Sequence, residues 1–203
     1  CNHGTRVAGI AAAATDNFAG VAGVSWGAGL LSLKIFRDED CNADCALRSC
    51  ATDSWAVINA IQYARTIHNS TTTGRIVLNM SFGKAGACLP TALQTTITQA
   101  ATEGLVLVAA AGNSGADGVD SPANCLNVIP VGATDINDNI ASFSATGAEM
   151  ANRGVSAPGV GIYTTDLRAG YAYDNGTSFA SPLVAGLAAL VLSANPVLTS
   201  TDT

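Results

Sequence analysis

Charge is scarce in this sequence: of 203 residues only 12% are Asp, Glu, Lys or Arg, and the basic ones are the fewer, 9 against 15 acidic. The formal charge of -6, with no basic cluster, argues against a nucleic-acid partner and against an anionic membrane surface. Long apolar runs are missing too. The longest, PLVAGLAALVLSA at 182–194, contains Gly and is too short to span a bilayer, so no membrane partner is expected. Histidine is limited to His3 and His68, which leaves few bases for catalysis, and His68 lies in a polar stretch that gives it no evident task. No internal repeat or linker interrupts the chain, and 48% hydrophobic residues suffice for a sizeable core, so 1–203 is expected to be one domain. No stretch within 1–203 reads as a signal peptide or targeting segment. A start two positions before His3 is expected of a fragment, or of a mature core separated from an upstream part.

Cysteine, by contrast, is plentiful. Six residues (Cys1, Cys41, Cys45, Cys50, Cys88 and Cys125) in an acidic, loop-rich chain favour disulfides and a secreted, extracellular protein. Zinc on Cys41, Cys45 and Cys50 is the weaker reading, because no Cys-x2-Cys pair or neighbouring His completes a tetrahedral set.

Periodicity predicts alternating elements. A small-residue helix over 4–14 is followed by a turn at 15–21, a strand at 30–36 and a polar cysteine-bearing loop at 37–53. An amphipathic helix over 54–67 would bury Val57, Ile58, Ile61 and Ala64. A strand at 75–81 leads to a helix opened by Pro90 and stopped by Gly104, with Leu93, Ile97 and Ala101 in register. The unbroken apolar run 105–111 suits a central parallel strand; 127–134 and 160–165 read as further strands, and 182–194 as the last helix. This order predicts an α/β fold, a doubly wound and mostly parallel sheet with helices on both faces. Ligands of such sheets bind beyond the carboxyl ends of the strands, where Ser81-Phe82-Gly83 and Gly112-Asn113 fall. Gly159-Val-Gly161 lacks the third glycine and the helix of a dinucleotide loop.

The chemistry centres on NGTSFASP at 175–182, which sets Ser178 at the mouth of an apolar helix, where the helix dipole favours developing negative charge. A base is needed to activate it, and His3 in HGTRVAG opens the first helix. Taken singly these are weak signals, since a Gly-x-Ser-x-Ala is often only a helix cap and a His beside Gly only a turn residue. Together with AAAGNSG at 109–115, SFG at 81–83 and APG at 157–159, in this order, they resemble the subtilisin-like serine proteases, the subtilases. The resemblance runs from His3 to about Thr199. It implies a subtilisin-like fold, truncated here at both ends, and a serine endopeptidase that is monomeric and acts on polypeptides.

Site residues follow from the resemblance motif by motif. Ser178 would form the acyl-enzyme, His3 would serve as general base, and the Asn113 side chain with the Ser178 backbone N–H would hold the oxyanion. Substrate would pair along Ser81, Phe82 and Gly83, with the P1 side chain in a slot between that segment and Ala110, Ala111 and Gly112. Its small walls suit a medium or large apolar side chain. A calcium loop would draw on the Asn17 side chain and the carbonyls of Thr15, Ala19 and Val21, the bland alternative being an Asx-turn. The family's third catalytic residue, an Asp on a strand before the histidine, has no counterpart among the 15 acidic residues, so this chain alone is expected to be weak or inactive. An upstream segment or propeptide of the same precursor is therefore an expected partner. Asn2, Arg6 and Ile10 depart from the usual Gly, His and Thr. Cys88 and Cys125 would follow neighbouring strand ends at one sheet edge, which makes them the favoured disulfide. Two other readings remain: an inactive subtilase-like protein that at most binds peptides, and an α/β-hydrolase esterase, which fails because no histidine follows Ser178.

Overall fold

The central apolar run forms the expected strand. In the computed structural model, which describes residues 2–37, 50–115 and 118–199, β1 (Val77–Met80), β2 (Val106–Ala110), β3 (Ile129–Thr134) and β4 (Val155–Pro158) make one parallel sheet in the order β1-β2-β3-β4. Every residue of β2 is buried, and its alternation divides the core in two. Leu105, Leu107, Ala109 and Ala111 pack with Val57, Ile58, Ile61 and Ala64 of α2 (Ser54–Ile67) and Leu93 and Ile97 of α3 (Thr91–Thr102). Val106 and Val108 pack with Ala180, Ala185, Ala188 and Leu192 of α5 (Thr177–Ala194), beside which lies α1 (His3–Ala12). Helices thus cover both faces of a doubly wound α/β sheet.

Local signals set the helix ends. The Asp53 carboxylate accepts the Ala56 N–H at 2.8 Å and caps α2, while Gly104, at φ +96°, ends α3 in the left-handed region that other residues avoid. α4 (Ala148–Arg153) is a short addition. Cys88 and Cys125 form the expected disulfide, closing a separation of 37 residues. Cys1, Cys41 and Cys45, with most of the loop 37–53, lie outside the described residues; Cys50 is half-buried.

Three expectations need correction. Residues 30–36 are not a strand: they pair in no ladder, because a cavity of about 730 Å³ lies between Leu30–Leu33 and the β1 edge at Ile76–Asn79. Residues 160–165 do not join the main sheet. β5 (Ile162–Thr165) instead pairs antiparallel with β6 (Tyr171–Asp174), since the tight turn between them, with Asp166 N–H donating to Gly170 O at 2.6 Å, folds the chain straight back. The last helix begins at Thr177, five residues before Pro182, and at 18 residues it is long and apolar enough to cross a membrane by length and composition. Half of it is buried against the sheet and α1, as in the core helix of a packed domain.

Candidate active site

Pro182 lies inside α5, and its position there shapes the site. With no N–H, it leaves the carbonyl four residues earlier, that of Ser178, outside the helical ladder. That carbonyl accepts instead from Ser81 Oγ at 2.8 Å, and Ser178 Oγ in turn donates to the Ser81 carbonyl at 3.2 Å. The exchange ties the end of β1 to the first turn of α5. A buried polar chain backs it: Ser181 Oγ donates to Asn79 Oδ1 at 2.6 Å, and Asn79 Nδ2 donates to Ser81 Oγ at 2.9 Å.

Asn113 follows β2 on an exposed loop, yet its amide is fixed. Its Oδ1 accepts both the backbone N–H and the hydroxyl of Thr177, each at 2.9 Å. The Thr177 hydroxyl also accepts from Gly112 N–H at 3.2 Å, and Thr177 is only 1% exposed. Because the oxygen end is occupied, the NH2 end faces Gly176, where a Cβ would come within 3.2 Å of Nδ2. Gly176 itself has φ +149°, a conformation that other residues resist. The turn is held from below by Gly176 N–H to Gly159 O at 2.8 Å and by Gly161 N–H to Asn175 Oδ1 at 2.7 Å. Among the described residues no acceptor takes the Ser178 N–H, one of the orphan donors at a helix start. An anion placed between that N–H and Asn113 Nδ2 would meet two preset donors.

His3 is the first residue of α1 and its ring stands 5.5 Å from that of Phe179, the neighbour of Ser178. The helix is pinned to β5 by Thr164 Oγ1 and Thr165 Oγ1, which donate to the carbonyls of Arg6 and Thr5, each at 2.8 Å. Arg6, one turn along, forks between Asp174 at 2.6 Å and Asp166 at 2.7 Å, so α1 is tied to the strand that runs into the Ser178 turn. Burial lowers the His3 pKa, opposed by the nearby Asp174 charge and reinforced by Arg6; the imidazole is therefore neutral near pH 7, as a base must be. The positive end of α1 acts in the same sense. Among the described residues, no hydrogen bond joins His3 to Ser178 and no carboxylate accepts from its ring.

The two walls expected to bind substrate stand side by side at the strand ends. Ser81 touches Ser178, and Gly112 touches Thr177. Between them lies Asp120, which the motifs did not single out. The Arg6 ion pairs and the Thr177 bridge were likewise not foreseen, although Thr177 sits inside the quoted motif. His68, expected to be idle, closes α2 and accepts the Ile76 N–H at Nδ1, 3.1 Å away, a structural task.

The loop offered for calcium has another explanation. Asn17 Oδ1 accepts the Ala19 N–H at 3.1 Å, an Asx-turn, and Thr15 Oγ1 bonds Ala13 O. One side-chain oxygen and three carbonyls fall short of the six or more oxygens calcium takes, and no group of three His, Cys, Asp or Glu side chains suited to a metal occurs among the described residues.

Comparison with known proteins agrees with this geometry. A family model described as "Subtilase family" matches residues 1–203. The chain is 42% identical to Subtilisin DY of Bacillus licheniformis over 98% of its own length and 66% of the relative's. It is 43% identical to a thermophilic serine proteinase of Bacillus sp. (strain AK1) over 95% of its length and 43% of the relative's. The chain thus spans about two thirds or less of the relatives it matches. Among solved structures, the "S41 Psychrophilic Protease" superposes with a TM-score of 0.80 at 29% identity, over 100% of this chain and 66% of that one. "Sphericase" gives 0.80 at 28%, over 99% and 66%. With three motifs in order, the doubly wound sheet, and a match along its entire length, the chain belongs to the subtilase family.

Proposed function

We propose that this chain is the core of a secreted serine endopeptidase in which Ser178 attacks the peptide carbonyl, His3 takes its proton and returns it to the leaving amine, and Asn113 Nδ2 with the Ser178 N–H holds the oxyanion. The observation that carries the reading is the pair of hydrogen bonds that Thr177 N–H and hydroxyl donate to Asn113 Oδ1, which leaves the amide's donor end pointing at the nucleophile turn. The orienting carboxylate is assigned to an upstream strand of the same precursor. The cavity between Leu33 and Leu78, roofed by Gly4 and Val7 of α1, supports that assignment: a parallel strand there would pair with the edge of β1 and end beneath the His3 helix. Calcium, if bound, would need further ligands from outside the 15–21 loop.

A second reading, an inactive chain that at most binds peptides, is favoured by one contact, the Ser178 hydroxyl donating to the Ser81 carbonyl rather than to His3. Labelling with a fluorophosphonate separates the two. The chain co-produced with an Asp-bearing upstream segment should label at Ser178, and faster than the chain alone; silence of Ser178 in both preparations establishes the inactive reading.

A further inference from the structure

Asp120 lies between the two segments expected to wall the substrate slot. Its N–H donates to Ala111 O at 2.8 Å on one side, while Ser121 and Lys84 exchange backbone hydrogen bonds of 2.9 Å on the other, so residues 120–121 bridge the walls at 83–84 and 111–112. The side chain points between them. A Cβ on Gly112 would stand 2.7 Å from Asp120 Oδ2, and one on Gly83 would stand 2.9 Å from its Cβ. Glycine at both positions is what lets the carboxylate fit. The residue is half-buried, and among the described residues it has no hydrogen-bond or ion-pair partner for that side chain. The neighbouring Lys84 meets this segment through its backbone alone and exposes its side chain.

Partial desolvation between the two walls disfavours the charge of this carboxylate, and no cation or donor among the described residues offsets it. We propose that the missing partner is the substrate: the slot takes a Lys or Arg side chain on the acyl side of the scissile bond, its stem along Ala110–Gly112 and its cationic head on Asp120. This inference rests on the reading of the site given above and replaces the apolar preference that the small walls alone suggest. The stem of a long basic side chain is itself apolar, so the same walls serve it. Burial raises the Asp120 carboxyl above its ordinary value, as expected of a carboxylate awaiting a cation, and a bound cationic head would lower it again.

The test compares short peptides ending in Arg, Lys, Phe or Ala, the acyl-side products of cleavage, by calorimetric or NMR titration of the full chain; binding needs no turnover. Arg and Lys peptides should bind about 10- to 100-fold more tightly than Phe, the range of one charge-assisted hydrogen bond, and Asp120→Asn should remove that preference. Asp120→Ser, which leaves room but no charge, should favour Phe. Equal or tighter binding of the Phe peptide by the unaltered chain overturns the proposal, as does preference for Ala, which would mean that Asp120 merely plugs the slot. Failure of all four peptides to bind overturns it too. Asp120-dependent binding of Arg without Ser178 labelling sustains the pocket while sinking the catalytic reading; labelling with a Phe preference does the reverse.

Discussion

The two sides of the site are built differently. On the acyl side, Ser178, Thr177, Asn113, Ser81 and Asn79 are joined by short hydrogen bonds from two strand ends to one helix start, so the turn of the proposed nucleophile and the Asn113 amide are fixed before any substrate arrives. On the base side His3 is held through its helix, by two threonine hydroxyls and the Arg6 fork, and by the Phe179 ring; among the described residues its own ring makes no hydrogen bond. The difference has a physical source. The acyl side hangs on the carboxyl ends of β1 and β2, which hydrogen-bond directly to the start of α5, whereas α1 is tied to the β5–β6 hairpin and roofs the cavity beside β1. Preorganisation therefore resides where the polar links join strand ends to α5, and the proposed base depends on links that reach its helix and not its ring.

The sharpest way to break this contrast is Asn113→Ala. Fluorophosphonate labelling of the chain completed with its upstream segment should fall about 10²–10³-fold, the magnitude known for an oxyanion-hole donor in subtilisin itself, and stability should fall by about 1–3 kcal/mol because the buried Thr177 hydroxyl loses its acceptor. A fall below threefold would remove Asn113 from the oxyanion hole.

Thr177→Val tests the same side through stability. It keeps the shape but strips a buried hydroxyl from Asn113 Oδ1 and Gly112 N–H, and denaturant unfolding should show a loss of about 1–3 kcal/mol. Labelling should slow as well, since only the backbone N–H of residue 177 then orients the amide. Unchanged stability and rate together would show that the bridge holds nothing in place.

The base side should respond more gently and in opposite senses to its two charges. In an NMR titration of His3, Asp174→Asn should lower the imidazole pKa further and Arg6→Gln should raise it, because the first removes an attraction for the cation and the second a repulsion. The sign for folding follows. His3 binds its proton less readily when folded than when unfolded, so stability contributed by its neutral form is complete above about pH 6.5 and declines as pH falls towards the folded value. Asp174→Asn should deepen that decline and Arg6→Gln should make it shallower. Shifts of the same sign in both variants would mean that repacking, not charge, governs the ring.

Much of this was legible in the chain. Helices α2 and α3, strand β2 and the 88–125 disulfide emerged where periodicity and turn residues placed them, because burial on both faces leaves a clear pattern. The strand expected at 30–36 failed for want of a neighbour, since β structure is a property of pairs and the sequence of one partner cannot supply the other. The helix start at Thr177 was masked by Pro182, which reads as a first-turn residue but lies in the sixth position. Within the site, motif order named His3, Asn113 and Ser178. Asp120 was silent, being one acid among 15 with no motif around it.

What the sequence determined by itself is the set of reactive groups and the period of the elements that carry them, both local properties of the chain. Only the tertiary structure decided which end of the Asn113 amide is occupied, that the Ser178 carbonyl turns to Ser81, and that a carboxylate lies between two glycine walls. These are contacts between residues 8 to 97 positions apart, from Gly112 with Asp120 to Ser81 with Ser178, and no pattern along the chain specifies them.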